Sequence, residues 1–240
     1  MVVDPVERYY ESQRLKLCFW DWFFISKSSP ECPVCICIHT TGDFEQGRVW
    51  DSTAKFLLTK GFRVYALDLR GHGNSDWAIG SNYTVFDYIV DLRRFLYMKT
   101  LLGLPAKVTL IGHGVGGIIC TLFASFYPDE INRVVSVEGV VSPGVVCPNN
   151  MDVPLEYVSW VDQVRNFENT PILQFDSQGD LKSYFLSRRK VLNEGYFGST
   201  GLADLSESVL QQLLKSVSLP SAENPGKFEL KNDPWTKMNS

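Results

Sequence analysis

Short, continuously apolar segments alternate with helical patterns over the first 140 residues of the chain. Runs of this kind are typical of strands that are buried on both faces, whereas apolar residues spaced by three and four positions indicate helices. Strands that alternate with helices form parallel βαβ units, so the pattern predicts an α/β fold with a doubly wound, mostly parallel sheet. The predicted strands are Leu15–Trp22, Val34–His39, Phe62–Leu67, Val108–Ile111 and Val134–Val137, and the predicted helices are Gly47–Lys60, Val85–Thr100 and Val115–Tyr127.

The pattern changes after Gly139. A segment rich in Pro, Gly and Asn, Val140–Pro154, indicates a loop, and from there to about Ser218 the pattern predicts helices only. We expect a core domain at residues 1–139 and a helical lid region at residues 140–240. The lid helices are predicted at Pro154–Phe167, Leu181–Leu192 and Ser206–Ser218.

Composition and charge exclude several classes of protein. Hydrophobic residues make up 45% of the chain and charged residues 21%, and the net charge is −4, an ordinary globular balance without a basic patch. We therefore expect no nucleic-acid partner. The first twelve residues do not form a signal peptide, and the apolar stretch Val108–Phe126 is interrupted by glycines, so we expect a cytoplasmic protein without a membrane span.

The six cysteines favour free thiols in a reducing compartment. Cys32-Pro-Val-Cys35 has the spacing of a redox or zinc motif, but it leads into an apolar strand and has no second pair of ligands. We expect no metal and no cofactor, with Cys35 and Cys37 acting as small hydrophobic residues.

The most informative motif is Gly112-His113-Gly114-Val115-Gly116-Gly117, which joins a predicted strand to a predicted helix. A G-x-S-x-G turn in this setting holds a nucleophile over the end of the sheet and aims backbone amides at a developing oxyanion. Here the central residue is Gly114, which has no side chain. A dinucleotide-binding turn is the competing interpretation, but that turn follows a first strand and has the spacing G-x-G-x-x-G.

Three further segments accompany this turn: His39-Thr40-Thr41-Gly42-Asp43, the run from Asp68-Leu69-Arg70-Gly71 to Asp76-Trp77, and Val137-Glu138-Gly139. Together with the glycine turn, they resemble the α/β-hydrolases, in particular the haloalkane dehalogenase-like and epoxide hydrolase-like branch with its serine-hydrolase-like proteins. The resemblance is close over about residues 8–145 and looser through the lid and Lys227–Pro234.

The resemblance implies a role for each matching residue. Gly114 stands at the position of the nucleophile, and Glu138 is a candidate for the triad acid. A carboxylate that caps a strand end or pairs with a basic residue of the lid explains Glu138 equally well. Thr41 and Val115 stand where the oxyanion amides lie, among His39, Asp43 and His113. Thr40 replaces a glycine of the family, so we expect the oxyanion loop to be displaced.

The resemblance also implies losses. The family carries its catalytic histidine after two more core strands, and neither those strands nor that histidine follow the lid in this sequence. His39, His72 and His113 all stand at positions that the family uses structurally.

Three hypotheses follow. The first is a catalytically impaired hydrolase that retains a binding role, for a protein or for a small hydrophobic ester-like or carboxylate ligand. The alternative is an active serine-type ester hydrolase whose sequence is incomplete or variant here. The third is a fragment that does not fold alone.

Overall fold

The computed structural model describes residues 4–23, 32–80, 82–139, 172–195 and 207–233. The chain divides into two compact units, residues 1–170 with 232–240, and residues 171–231. They are described in turn.

A six-stranded sheet forms the centre of the first unit. Its strands are Val6–Ser12 (β1), Leu15–Trp22 (β2), Val34–Ile38 (β3), Arg63–Leu67 (β4), Val108–His113 (β5) and Ile131–Val137 (β6). The spatial order is β1-β2-β4-β3-β5-β6. Strands β3 to β6 pair in parallel, and β1 and β2 join them antiparallel. The mostly parallel sheet expected from the sequence is confirmed.

Helices cover both faces of this sheet. They are Asp51–Thr59 (α1), Val85–Tyr97 (α2), Lys99–Leu102 (α3) and Val115–Phe126 (α4), with 3-10 turns at Gly47–Trp50 and Pro128–Glu130. Alternate residues of β2 enter different core clusters, Phe19 with α2 and α4, and Trp20 with α1. Since successive side chains of a strand point to opposite faces, the sheet is covered on both sides and is doubly wound.

A buried carboxylate organises the turn that follows β4. Asp68 accepts hydrogen bonds from Trp20 Nε1 at 3.1 Å, from the Gly47 amide at 2.6 Å and from the Asn74 amide at 2.8 Å. Burial raises the pKa of Asp68, and these hydrogen bonds act against that rise. A Cβ at Gly73 would strike the same carboxylate, so this turn requires glycine there.

A second buried charge ties the turn to α2. The Arg70 guanidinium is 1% exposed and donates to both oxygens of Asp91 at 2.7 Å. It also donates to Gln13 Oε1 at 2.6 Å and to the Asn82 carbonyl at 3.0 Å. Burial lowers the pKa of Arg70, but the hydrogen bonds and charge of Asp91 outweigh it and raise the pKa overall.

The second unit holds a small antiparallel sheet and two helices. The strands are Gln174–Phe175 (β7), Ser218–Pro220 (β8) and Phe228–Leu230 (β9), with β9 in the middle. The helices are Gln178–Gly195 (α5) and Glu207–Val217 (α6). Leu210, Leu214 and Val217 are buried at helical spacing on α6.

The second unit contains the last two helices that the sequence pattern predicts, and it also contains strands. The helices expected at 181–192 and 206–218 are present as α5 and α6. The expectation of helices only between residues 154 and 218 is wrong, because β7 precedes α5. A strand of two residues is too short to produce a periodic signal. The loop expected at 140–154 and the helix expected at 154–167 lie outside the described residues.

The structure also bears on the membrane and on the thiols. No helix within the described ranges is long and apolar enough to cross a membrane. The five cysteines that the structure describes are free. Burial raises the pKa of the Cys35 thiol to about 11, which disfavours its thiolate form.

The Arg70–Asp91 pair gives the first testable prediction. We expect Asp91→Ala to lower the free energy of unfolding by about 3–5 kcal/mol, because Arg70 would stay buried without its main counter-ion. Urea denaturation followed by tryptophan fluorescence measures the change. Arg94→Ala, on an exposed position of the same helix, is the matched control and should change stability by less than about 0.5 kcal/mol. Equal losses in the two variants would contradict the prediction.

Candidate functional site

The turn between β5 and α4 has the backbone of a nucleophile elbow. Gly114 adopts φ +53° and ψ −121°, a conformation that L side chains rarely take. At Gly116 a Cβ would lie 2.6 Å from the His39 carbonyl oxygen and 2.8 Å from the Ile38 carbonyl carbon. The start of α4 therefore packs directly against the end of β3, and only glycine permits this close approach.

The side chain of Thr40 fills the space above Gly114. A Cβ built on Gly114 would lie 2.9 Å from Thr40 Cβ and closer still to Thr40 Oγ1, well inside any normal contact. The Val115 amide donates to Thr40 Oγ1 at 3.2 Å. The Thr40 side chain thus occupies the space that a side chain at position 114 would need, and its hydroxyl also engages the Val115 amide. From the sequence only a displaced loop was expected here, and this contact was missed.

Two buried histidines support the loop that carries Thr40. The Leu69 amide donates to His39 Nε2 at 3.0 Å, and the other ring nitrogen, Nδ1, contacts the Thr40 carbonyl. His72 Nδ1 lies 3.0 Å from the Arg70 carbonyl, and the Gly42 amide donates weakly to His72 Nε2 at 3.4 Å. In both rings Nε2 accepts, so Nδ1 carries the hydrogen and donates. The two rings also contact each other edge to face, with centroids 5.1 Å apart.

Both histidines are held in the neutral form. Burial lowers the pKa of His72 to about 4 and lowers that of His39 well below its usual value. The charge of Asp43 acts against the shift at His72, which places this loop carboxylate near the ring. Because both ring nitrogens of each histidine are engaged, neither offers a free base to the elbow.

The remaining loop residues are partly buried. The Oγ1 atom of Thr41 is buried without a hydrogen-bond partner in the part of the chain that the structure describes. Glu45, which the sequence analysis did not single out, is half-buried. Burial raises the pKa of Glu45 to about 7, and the charge of His113 acts against this rise.

His113 and Glu138 are brought together at the ends of β5 and β6. His113 Nε2 lies 3.2 Å from Glu138 Oε2, and their side chains are 39% and 66% exposed. Glu138 takes φ +58°, an uncommon conformation for a residue with a side chain. An exposed pair of this kind adds little stability, so the unusual backbone of Glu138 is not explained by the strength of the pair.

A segment far along the chain fastens the same loop. The Asn232 side-chain amide donates to the Gly42 carbonyl and, at 3.2 Å, to the Glu45 carbonyl. The Asp233 amide donates to the Gly71 carbonyl at 2.8 Å, and the Tyr83 hydroxyl donates to the Asp233 carboxylate. The sequence gave no signal for these contacts beyond the loose match of Lys227–Pro234.

The described residues contain no group of three or more His, Cys, Asp or Glu side chains that could hold a metal ion.

Comparison with known proteins decides the family. The family model of the alpha/beta hydrolase fold matches residues 33–199. The chain belongs to the α/β hydrolase family. Gly114 lies in the turn that joins β5 to α4, the kind of strand-to-helix turn in which α/β hydrolases hold their nucleophile.

Individual relatives match parts of the chain. Protein ABHD8 of Homo sapiens is 32% identical over 94 residues, which are 38% of this chain and 20% of that protein. Epoxide hydrolase 3 of Siraitia grosvenorii is 36% identical over 106 residues, 44% of this chain and 32% of that protein. The chain thus spans between a fifth and a third of these curated relatives. The solved thioesterase domain from the curacin biosynthetic pathway shares the fold, with a TM-score of 0.72 and 24% identity over 98% of this chain and 75% of that chain.

The buried His72 predicts a pH dependence of stability. Its pKa is about 4 in the folded chain and near 6.5 in the unfolded chain, so between these values the unfolded chain binds the additional proton. We expect the free energy of unfolding to fall by about 3 kcal/mol through His72 as the pH drops from 6.5 to 4. No change from this residue is expected above that window.

Urea denaturation across this pH range measures the effect, with His72→Asn compared against the wild type. The comparison isolates His72 from Glu45, whose raised pKa makes stability fall as pH rises from 4.5 to about 7. His113→Asn at a more exposed ring is the matched control. If the pH profile of His72→Asn parallels that of the wild type, His72 is not buried in its neutral form.

The contact between Thr40 and Gly114 predicts a strong coupling between the two positions. We expect Gly114→Ala to lower the free energy of unfolding by about 2 kcal/mol or more, since the new Cβ meets Thr40 and the backbone is left-handed. In a Thr40→Gly background the steric part disappears. A double-mutant cycle by urea denaturation should give a coupling energy of about 1 kcal/mol or more, and additive effects would contradict the contact.

Proposed function

We propose that this chain is an α/β hydrolase family protein that does not cleave esters through a covalent intermediate and that uses the hydrolase scaffold for binding. The single observation that carries the proposal is the position of the Thr40 side chain. It fills the space above Gly114 and accepts the hydrogen bond of the Val115 amide. A substrate carbonyl would have to displace this hydroxyl and would then meet no nucleophile at the elbow.

The histidines support the same proposal. A general base must lie within hydrogen-bond reach of the proton that it removes. His39 and His72 use both ring nitrogens in contacts with the backbone, and the His113 ring is directed at Glu138. A hydroxyl restored at position 114 would therefore lack an evident partner among the three histidines of this sequence.

The charges around the elbow favour one ligand class over another. Glu138 is exposed at the end of β6, and Glu45 lies in the loop beside Thr40. The carboxylate of Glu138 disfavours a carboxylate ligand at this place, whereas a neutral ester-like ligand needs only hydrogen-bond donors. Of the two small ligands considered from the sequence, we propose the ester-like one for this site.

Some of the similar proteins, such as the epoxide hydrolase and the thioesterase domain, carry the names of enzymes. They match this chain over part of their length or in fold. We propose that this chain shares their fold but forms no covalent intermediate with a substrate, because Gly114 has no side chain that could attack one.

The proposal predicts that the purified chain hydrolyses short p-nitrophenyl esters no faster than the buffer does. Gly114→Ser in a Thr40→Gly background, where the new side chain has room, should also be inactive because a base is still missing. Absorbance at the p-nitrophenolate band measures turnover.

Labelling with a fluorophosphonate, followed by mass spectrometry, tests independently whether any hydroxyl, including that of Thr40, is an activated nucleophile.

Two outcomes would overturn the proposal. Turnover by the wild-type chain that is lost in Glu138→Ala, with unfolded protein as the blank, would support an active hydrolase. Fluorophosphonate labelling of Thr40 would show that its hydroxyl replaces the missing nucleophile. Ligand-observed NMR of methyl butyrate tests the retained binding role. Thr40→Val should weaken binding, because it retains the shape but removes a hydroxyl whose hydrogen can donate to the ester carbonyl while its oxygen accepts from the Val115 amide.

A further inference from the structure

A cavity of about 530 Å³ lies away from the elbow, beside the turn between β1 and β2. Its volume falls within the range of small-molecule sites. One wall is the turn residues Gln13 and Arg14 with Leu15, and the other is Ala78, Ile79 and Asn82 before α2. Arg70 and Asp87 complete the lining. The residues of this cavity belong neither to the elbow nor to the loop that carries Thr40.

The buried guanidinium of Arg70 fixes both walls of the cavity. It donates to Gln13 Oε1 on one side at 2.6 Å and to the Asn82 carbonyl on the other at 3.0 Å. Its positive charge is balanced by Asp91 at 2.7 Å and by Asp87 at 3.6 Å. Arg70 therefore holds the two walls in a fixed position, and with two carboxylate partners it brings no net positive charge to a ligand.

Arg14 supplies the free positive charge of the cavity. Its side chain is exposed, and within the described ranges it has neither an ion pair nor a side-chain hydrogen bond. The turn holds it in place, since Gln13 and Arg14 take φ +48° and +68°, both in the left-handed region. Positive φ at both central residues is the ordinary geometry of a two-residue hairpin turn, so the turn fixes the backbone from which the Arg14 side chain projects.

The apolar part of the cavity limits the ligand further. Ile79 is 93% exposed at the rim, and Leu15 and Ala78 lie beside it. A guanidinium holds a planar carboxylate with two parallel hydrogen bonds, and the apolar residues would contact a short hydrocarbon chain. Among the described lining residues, Asp87 carries a carboxylate. Its Oδ2 atom accepts hydrogen bonds from the Thr84 amide at 2.9 Å and from the Thr84 hydroxyl at 2.7 Å, and its Oδ1 atom lies 3.6 Å from Arg70.

We propose that this cavity binds a small carboxylate with an apolar chain, with the carboxylate on Arg14 and the chain against Ile79, Leu15 and Ala78. The site is independent of the elbow and does not rest on the proposed function. It differs from the elbow in ligand class, because its unpaired charge is positive.

The test is a titration of the full chain with sodium hexanoate, followed by calorimetry and by amide chemical shifts. We expect saturable binding of hexanoate, weaker binding of acetate, and none of hexylamine. Arg14→Gln should weaken hexanoate binding at least tenfold, as loss of a charge-assisted hydrogen bond requires, and Arg94→Gln, an exposed arginine on α2, should leave it unchanged. Ile79→Ser should reduce the preference for hexanoate over acetate.

A second substitution at position 14 separates loss of the guanidinium from damage to the turn. Arg14→Asn suits the left-handed turn better than arginine does, so loss of binding in this variant cannot be attributed to a disrupted hairpin. Equal binding by wild type, Arg14→Gln and Arg14→Asn, or no binding by the wild type, would overturn the proposal. Loss of hexanoate binding in Thr40→Gly, with Arg14 intact, would place the anion at the elbow and would also overturn the proposal. Ester hydrolysis by the chain would contradict only the proposed function and would leave this proposal unaffected.

Discussion

The ion pair between Arg70 and Asp91 is the contact on which the arrangement of the first unit depends. A guanidinium that is 1% exposed is stable only if its donors are satisfied, and here Asp91 takes two of them at 2.7 Å. The other donors reach the β1–β2 turn and the loop before α2. The same residue fixes the turn after β4, and that turn places His72 against His39. A charge that has to be neutralised thus sets the position of the loop that carries Thr40.

Sequence patterns were sufficient for the elements whose identity depends on burial. Strands β3, β4 and β5 are mostly apolar because helices cover both faces of the sheet, and their predicted bounds lie within one or two residues of the observed ones. Strand β1 was missed because it is an edge strand, and five of its seven residues are exposed. Its extended form is set by hydrogen bonds to β2, which leave no hydrophobic pattern along the sequence.

The candidate site divides in the same way. The elbow backbone was predictable, since glycines at fixed spacing between a strand and a helix permit one tight turn. The contents of the site were not, because they depend on contacts between distant residues. Val115 and Thr40 are 75 positions apart, and Asn232 is 190 positions from the Gly42 carbonyl that it holds. Contacts between residues so far apart in sequence leave no local hydrophobic pattern. The burial of Glu45 likewise depends on the folded loop and not on its neighbours in the sequence.

The Thr40–Gly114 contact also links the two departures from the family pattern. With a nucleophile at position 114, a side chain at position 40 would have no room, and with glycine at 114 the amide of Val115 would face an empty place. Threonine at 40 removes both problems, because its side chain fills the volume and its hydroxyl accepts the amide hydrogen. The two residues are therefore best understood as one structural unit. It stabilises the elbow turn and fills the space above it. The exposed guanidinium of Arg14 lies elsewhere, in the cavity beside the β1–β2 turn.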